Sequence, residues 1–256
     1  VTAIGAVLAV LTGRDAAGMA GVTAAVLAGQ LSVGWSNDAI DADRDVRAGR
    51  QDKPVAGGRI GRRTVWLAAI AAAIACVPLS LASGPVAGSL HLIAVAAAWS
   101  YNSGLKSTPL SPVPYVVAFG LLPAFVVHGL PEHPAPPIWL VAAGALLGGG
   151  AHFANVLPDL ADDALTGVHG LPHLIGAGWS RTVAAGCLLA ASLVLAFGPP
   201  GPPRVPGQIG LAAAAVTLGA GFALGRRPGS RAPFRAVLVV AAIDVGLLLA
   251  AGQQIR

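Results

Sequence analysis

The stretch Asn37-Asp38-Ala39-Ile40-Asp41-Ala42-Asp43-Arg44-Asp45, followed by Arg50 and Lys53-Pro54, decides how the chain is read. It crowds four carboxylates into eight residues of a sequence that is only 11% charged. A second acidic run, Asn155-Val156-Leu157-Pro158-Asp159-Leu160-Ala161-Asp162-Asp163, comes far downstream. Between and around the two, the chain is almost pure hydrocarbon.

A soluble domain carries about 25% charged residues. Here 55% of the 256 residues are hydrophobic and the mean hydropathy is +0.73. The apolar runs approach the ~20 residues that span a bilayer as helix. They lack the alternation of a transmembrane barrel strand. The composition therefore predicts an all-α polytopic membrane protein, and the net charge of +5 is read as lipid topology rather than nucleic-acid binding. Cys76 and Cys187 lie singly in apolar runs and read as small core residues. The chain opens on Val1, with Met19 its only methionine, and the first apolar run is short. A truncated first helix is expected, with no signal peptide.

The apolar segments fall at 1–12, 16–36, 63–83, 86–102, 112–129, 137–157, 178–197, 208–224 and 234–252. They predict about nine spans, in one domain covering 1–256, bundled around a central cavity. With alternate breaks on opposite faces, thirteen of the sixteen Lys and Arg residues share one side; only Arg14, Arg204 and Arg256 lie on the other. Cations mark the cytoplasmic face, so both acidic runs are expected there, in the cell membrane.

Asn37, Asp41 and Asp45 stand at four-residue steps, and so do Asn155, Asp159 and Asp163. On a helix each set forms one stripe. Two such stripes face to face would repel unless a cation lay between them. Mg2+ suits oxygen donors and is commonly shared between carboxylates and a substrate's phosphates. Arg50, Lys53 and Lys106 suit the remaining phosphate oxygens. The pattern points to a diphosphate bound at the mouth of an apolar bundle that can hold a lipid tail and keep water from a carbocation.

The stretch NDAIDADRDVRAGRQDKP resembles the first signature of the UbiA-type intramembrane prenyltransferases, NDxxDxxxD followed by an Arg and a basic-Pro pair. Asp159 to Asp163 is similar to that family's second DxxxD, and Tyr101 to Lys106 resembles its segment after the fourth helix. The resemblance covers essentially the whole chain. It implies nine helices and Mg2+-dependent transfer of an isoprenoid chain from a prenyl diphosphate to an aromatic or other lipophilic acceptor. It implies that Asn37, Asp38, Asp41 and Asp45 hold one metal and Asp159 and Asp163 a second, with Asp41 and Asp159 essential to catalysis. Arg50, Lys53 and Lys106 would hold phosphate, with Asn37, Tyr101 and Asn155 also touching substrate. Tyr101 stands five residues before Lys106 where many relatives have four, and the second motif lacks the Tyr-Asp opening of quinone-pathway members.

Plainer readings apply elsewhere. Asp43 and Asp52 read as solvated loop acids, His152 as a core histidine, and His169 and His173 as solvated. Asp162 is divided evenly between site and loop. Asp244, in the last apolar segment, must be paired or face a cavity, since a charge there is costly. Two other functions fit parts of the pattern. A terpene cyclase would use the same ionisation with no second substrate. A cation transporter would place its acids nearer the midplane.

Overall fold

The computed structural model describes residues 1–160, 163, 167–225 and 230–252. Among these the chain is helical throughout, without a strand. The α-helices are α1 (Thr2–Leu11), α2 (Ala16–Ile40), α3 (Ala42–Arg47), α4 (Arg62–Leu81), α5 (Pro85–Asn102), α6 (Val113–His128), α7 (Ile138–Val156), α8 (Leu171–Phe197), α9 (Val205–Leu224) and α10 (Ala232–Gly252). Short 3-10 turns at Leu105–Ser107 and Leu157–Asp159 follow α5 and α7. Every apolar segment read from the sequence overlaps one of these helices. Among the described residues six helices are long and apolar enough to cross a membrane, while α1 and α6 are shorter.

Neighbours in sequence are mostly neighbours in space, and α1 packs against both α2 and α10, closing the circuit. One core joins α1, α2, α5 and α6 through Leu8, Val22, Val26, Ala87, Leu122 and Phe125. A second joins α7 to α10 through residues such as Leu140, Leu188, Leu218 and Val240. Because lipid is as apolar as leucine, such helices gain by close packing rather than by hiding from water. Gly144 and Gly148 of α7 do this against α6. A Cβ on Gly144 would lie 2.5 Å from the Phe119 carbonyl oxygen, and one on Gly148 would run into that of Tyr115.

The ends of the helices are held locally. Asp15 caps α2 by accepting from the Gly18 N–H at 2.8 Å. Arg14 closes the last turn of α6 by donating to the Val126 carbonyl at 3.0 Å. At the opposite end, Arg62 of α4 donates to the Ala39 carbonyl of α2 at 2.8 Å. The Leu171 N–H that opens α8 donates to Ser111 Oγ, ahead of α6, at 3.0 Å. This second end gathers the C-termini of α2, α5 and α7 with the N-termini of α4, α6 and α8.

Two boundaries differ from expectation. Helix α8 begins at Leu171 rather than 178, with an internal break at Gly176, whose φ of 76° only glycine adopts freely. Its first turns carry Pro172 and His173 and so read as loop. Helix α2 runs on to Ile40, into the acidic stretch, because the acids themselves are helical.

Candidate active site

The first acidic stretch lies across the α2–α3 junction. Asp41 ends one helix and starts the next at φ −84° and ψ 0°. The hydrogen-bond ladder passes through it nearly unbroken: the Asp41 N–H donates to the Asn37 carbonyl at 2.9 Å, and the Asp45 N–H to the Asp41 carbonyl at 2.8 Å. Asn37, Asp41 and Asp45 thus keep their helical stacking. The second set does not share one regular helix. Pro158 cannot continue the α7 ladder, and Leu157–Asp159 tightens into a 3-10 turn.

Asp41 and Asp45 are buried, at 5% and 2% exposure, so each needs a partner. Asp41 receives two: Lys106 on Oδ1, and Arg44 on Oδ2 at 2.6 Å. Lys53 lies 3.4 Å from Asp45 and 2.9 Å from Asp38. Arg50 lies 4.0 Å from Asp45 and 3.3 Å from Asp159. The two acidic runs therefore meet through one guanidinium. Asp163 is within electrostatic reach of Arg44, Arg50 and Asp159.

Local backbone chemistry puts Arg50 there. After α3 the chain turns at Gly49, with φ 68°. The Gly49 N–H donates to the Val46 carbonyl at 3.1 Å and the Arg50 N–H to the Asp45 carbonyl at 2.9 Å. This is the paired bonding of a Schellman cap, which needs a left-handed residue at the glycine. It folds Arg50 back beneath Asp45. Lys106 follows a glycine turn between α5 and the 3-10 segment, at Gly104 with φ 150°, where the Gly104 N–H donates to the Tyr101 carbonyl at 3.3 Å.

The environment tunes these groups. Burial pulls Arg50 down, but Asp159, Asp163 and Asp45 outweigh it and its pKa rises. Lys53 behaves alike, burial being overcome by Asp38 and Asp45. For Lys106 burial prevails over Asp41, and its pKa falls below that of an ordinary lysine. Burial raises Asp163, with Asp159 adding to it and Arg44 and Arg50 opposing.

From this charged end a cavity of about 410 Å³ runs down between α2, α5 and α6. Asn37, Tyr101, Asn102, Tyr115 and Asn155 line its polar end, and most of the rest is apolar. Asn155 Nδ2 donates to Tyr115 Oη at 3.3 Å. The rings of Tyr101 and Tyr115 meet edge to face at 5.2 Å.

The donor set suits Mg2+: the carboxylates of the two acidic runs and the Asn37 amide oxygen are hard ligands, and they lie where cations already gather. Among the described residues no three His, Cys, Asp or Glu side chains are closed up as a metal centre. Lys106, Arg44, Lys53 and Arg50 neutralise the acids instead. The residues expected to grip phosphate are thus the ones paired to the expected metal ligands.

The remaining acids and histidines sort as follows. Asp43 is a surface acid paired with Arg62 at 3.0 Å. Asp162, Arg226 and Arg227 lie outside the described residues. His152 is a fully buried core residue bonded to Ser111 Oγ at 3.1 Å. His173, read as solvated, instead has both ring nitrogens buried, because α8 starts earlier than expected. Asp244 is wholly buried and bonded to Ser192 of α8, away from the cavity lining. Tyr115, Ser111 and His91 escaped the reading of the sequence. Each is a polar side chain inside or beside an apolar run, and that was their visible signal.

The family model of the UbiA prenyltransferase family matches residues 1–243. The digeranylgeranylglyceryl phosphate synthase of Methanopyrus kandleri is 27% identical over 198 residues, 74% of this chain and 72% of that protein. A UbiA homologue from Aeropyrum pernix K1, solved in its apo form, superposes with a TM-score of 0.71 at 20% identity, covering 97% of this chain and 95% of the other. A UbiA homologue from Archaeoglobus fulgidus, solved with GPP and Mg2+, gives 0.63 at 17% identity, covering 97% and 94%.

Proposed function

The chain belongs to the UbiA prenyltransferase family, and from that premise we propose that it is a single integral membrane enzyme that moves an isoprenoid chain from a prenyl diphosphate to a lipophilic or aromatic acceptor, with Mg2+ as cofactor. The observation that carries this reading is Arg50, shared between Asp45 and Asp159 at the mouth of an apolar cavity. A diphosphate needs carboxylate-held metal and fixed cations together, and both are drawn to one point. The relatives solved with GPP or DMAPP and Mg2+ support the same choice of donor and metal.

Asn37, Asp38, Asp41 and Asp45 would hold one Mg2+, and Asp159 and Asp163 a second. When bound, the metal supplies Lewis-acid neutralisation of the charge that develops on the leaving diphosphate. On binding, Lys106, Lys53 and Arg50 exchange carboxylate partners for phosphate oxygens, a short movement for long side chains. Arg44 stays with Asp41. As the C–O bond breaks, these fixed donors steady the departing diphosphate. The cavity walls exclude water from the allylic cation, and Tyr101 and Tyr115 present aromatic rings at its polar end. The acceptor attacks the cation, and its proton leaves to a carboxylate or to diphosphate.

Nine crossings, with the acids on the cytoplasmic side of the cell membrane, follow from the distribution of Lys and Arg. The acids lie at helix ends rather than at the midplane, which weighs against ion transport. The test is incubation of purified protein with Mg2+, labelled prenyl diphosphates and a panel of acceptors. Prenylated acceptor and released diphosphate are expected. Cyclised hydrocarbon without acceptor would instead assign a terpene cyclase.

A further inference from the structure

We propose that His91 forms part of the floor of the tail cavity, beside Leu122 and Val1, and limits the length of prenyl chain admitted, an inference that rests on the prenyl-diphosphate reading above. At its polar end the cavity touches Asn37 on α2 and Asn102 on α5; at its far end it touches Val26 and His91 on the same two helices. Eleven residues separate the ends on each helix, a depth of roughly 16 Å at 1.5 Å per residue. A volume of about 410 Å³ holds roughly fourteen small groups at the ~30 Å³ each occupies in a liquid, or about two to three five-carbon units.

His91 is built as a stop. Ser80 Oγ lies 2.6 Å from the Cys76 carbonyl, to which it donates, so its one hydrogen is used. The 2.7 Å contact with His91 Nδ1 then requires the ring nitrogen to be the donor. This fixes the tautomer, with the lone pair on Nε2. Phe125 stacks on the ring at 4.7 Å, with an interplanar angle of 18°. On α2, a Cβ at Gly29 would come within 3.4 Å of Cε1 and Nε2, so the helix backs that edge closely. Contacts from α4, α6 and α2 hold the ring on the sides away from the cavity. A hydrocarbon tail pressed against it meets a fixed wall, and it offers the Nε2 lone pair no donor.

The test measures affinity of the purified full chain, with Mg2+, for inert thiolodiphosphates bearing ten-, fifteen- and twenty-carbon prenyl chains. The native protein is expected to bind the twenty-carbon analogue about tenfold more weakly than the fifteen-carbon one, in the range set by a pocket that excludes a few methylenes. His91→Ala should erase that gap, His91→Phe should shift the preference to ten carbons, and Ser80→Ala should narrow the gap by freeing the ring. Unchanged length profiles in all three variants, with binding intact, would overturn the role of His91 and leave the prenyl-diphosphate reading standing. So would a loss equal at all three lengths, which is the mark of a damaged fold. Absence of Mg2+-dependent binding of any analogue to the native protein would remove both.

Discussion

Arg50 and Asp159 meet at 3.3 Å, although one follows α3 and the other ends the turn after α7. The same guanidinium reaches Asp45 at 4.0 Å. A planar fork presents parallel N–H donors that match two oxygens of a carboxylate or diphosphate, whereas an ammonium acts as a point charge. Arg50→Lys should therefore lower kcat/KM by roughly tenfold or more despite keeping the charge. Initial rates of diphosphate release over a range of donor concentrations would measure it, and the loss should fall mainly on KM.

Asp41 carries two close cations, Lys106 and Arg44. Its replacement by Ala should reduce kcat by about 10²–10³-fold, the cost typical of losing a group that stabilises developing charge. It also strands Lys106 in a buried position, which costs about 3 kcal/mol. A detergent thermal melt should thus show a lower Tm, with the helical signal intact before the transition.

Asp244 should behave differently. Its bond to Ser192 ties α10 to α8, outside the cavity. Asp244→Asn keeps an acceptor for the serine hydroxyl and should leave turnover within about twofold, shifting stability by under about 1 kcal/mol. Asp244→Ala should cost about 1–3 kcal/mol by removing the bond between α10 and α8 and opening a small void, Ser192 keeping only the Leu188 carbonyl at 3.1 Å. Parallel melts and rate measurements would separate the two.

Gly49 carries the turn that aims Arg50. Alanine at φ 68° is strained by about 1–2 kcal/mol. Gly49→Ala should thus weaken the Schellman cap and raise KM for the prenyl diphosphate several-fold, through a residue that touches no substrate. Its loss should not add to that of Arg50→Lys, because both act through the same guanidinium. The double variant's KM would show it.

Removing the metal should stop the reaction. Chelation is expected to abolish diphosphate release and added Mg2+ to restore it, while Ca2+, with its longer bonds and looser geometry, restores little.

The sequence carried the positions of the helices and the stacking of the first acidic run, because both follow from local pattern. Apolar runs of bilayer length have one stable answer in lipid. Four-residue spacing stacks Asn37, Asp41 and Asp45 because the helical ladder continues through them. Pairing was not legible. That Lys106 lies on Asp41 depends on a turn at Gly104, and that Arg50 spans both acidic runs depends on the cap at Gly49. His173 was misjudged because Leu171 and Pro172 looked like loop, while the tertiary bond from the Leu171 N–H to Ser111 lets α8 start there. Asp159 sits on a 3-10 turn because Pro158 outweighs the helical spacing of its neighbours.

Binding of a prenyl thiolodiphosphate in the presence of Mn2+, followed by the metal's paramagnetic resonance, tests most directly whether the two acidic runs build one site. Two ions per chain are expected with the native protein. Asp41→Ala and Asp159→Ala should each weaken the analogue by roughly tenfold or more, and the double variant should be little worse than either, as befits groups acting as a unit. Native metal and analogue binding in Asp159→Ala would contradict the account.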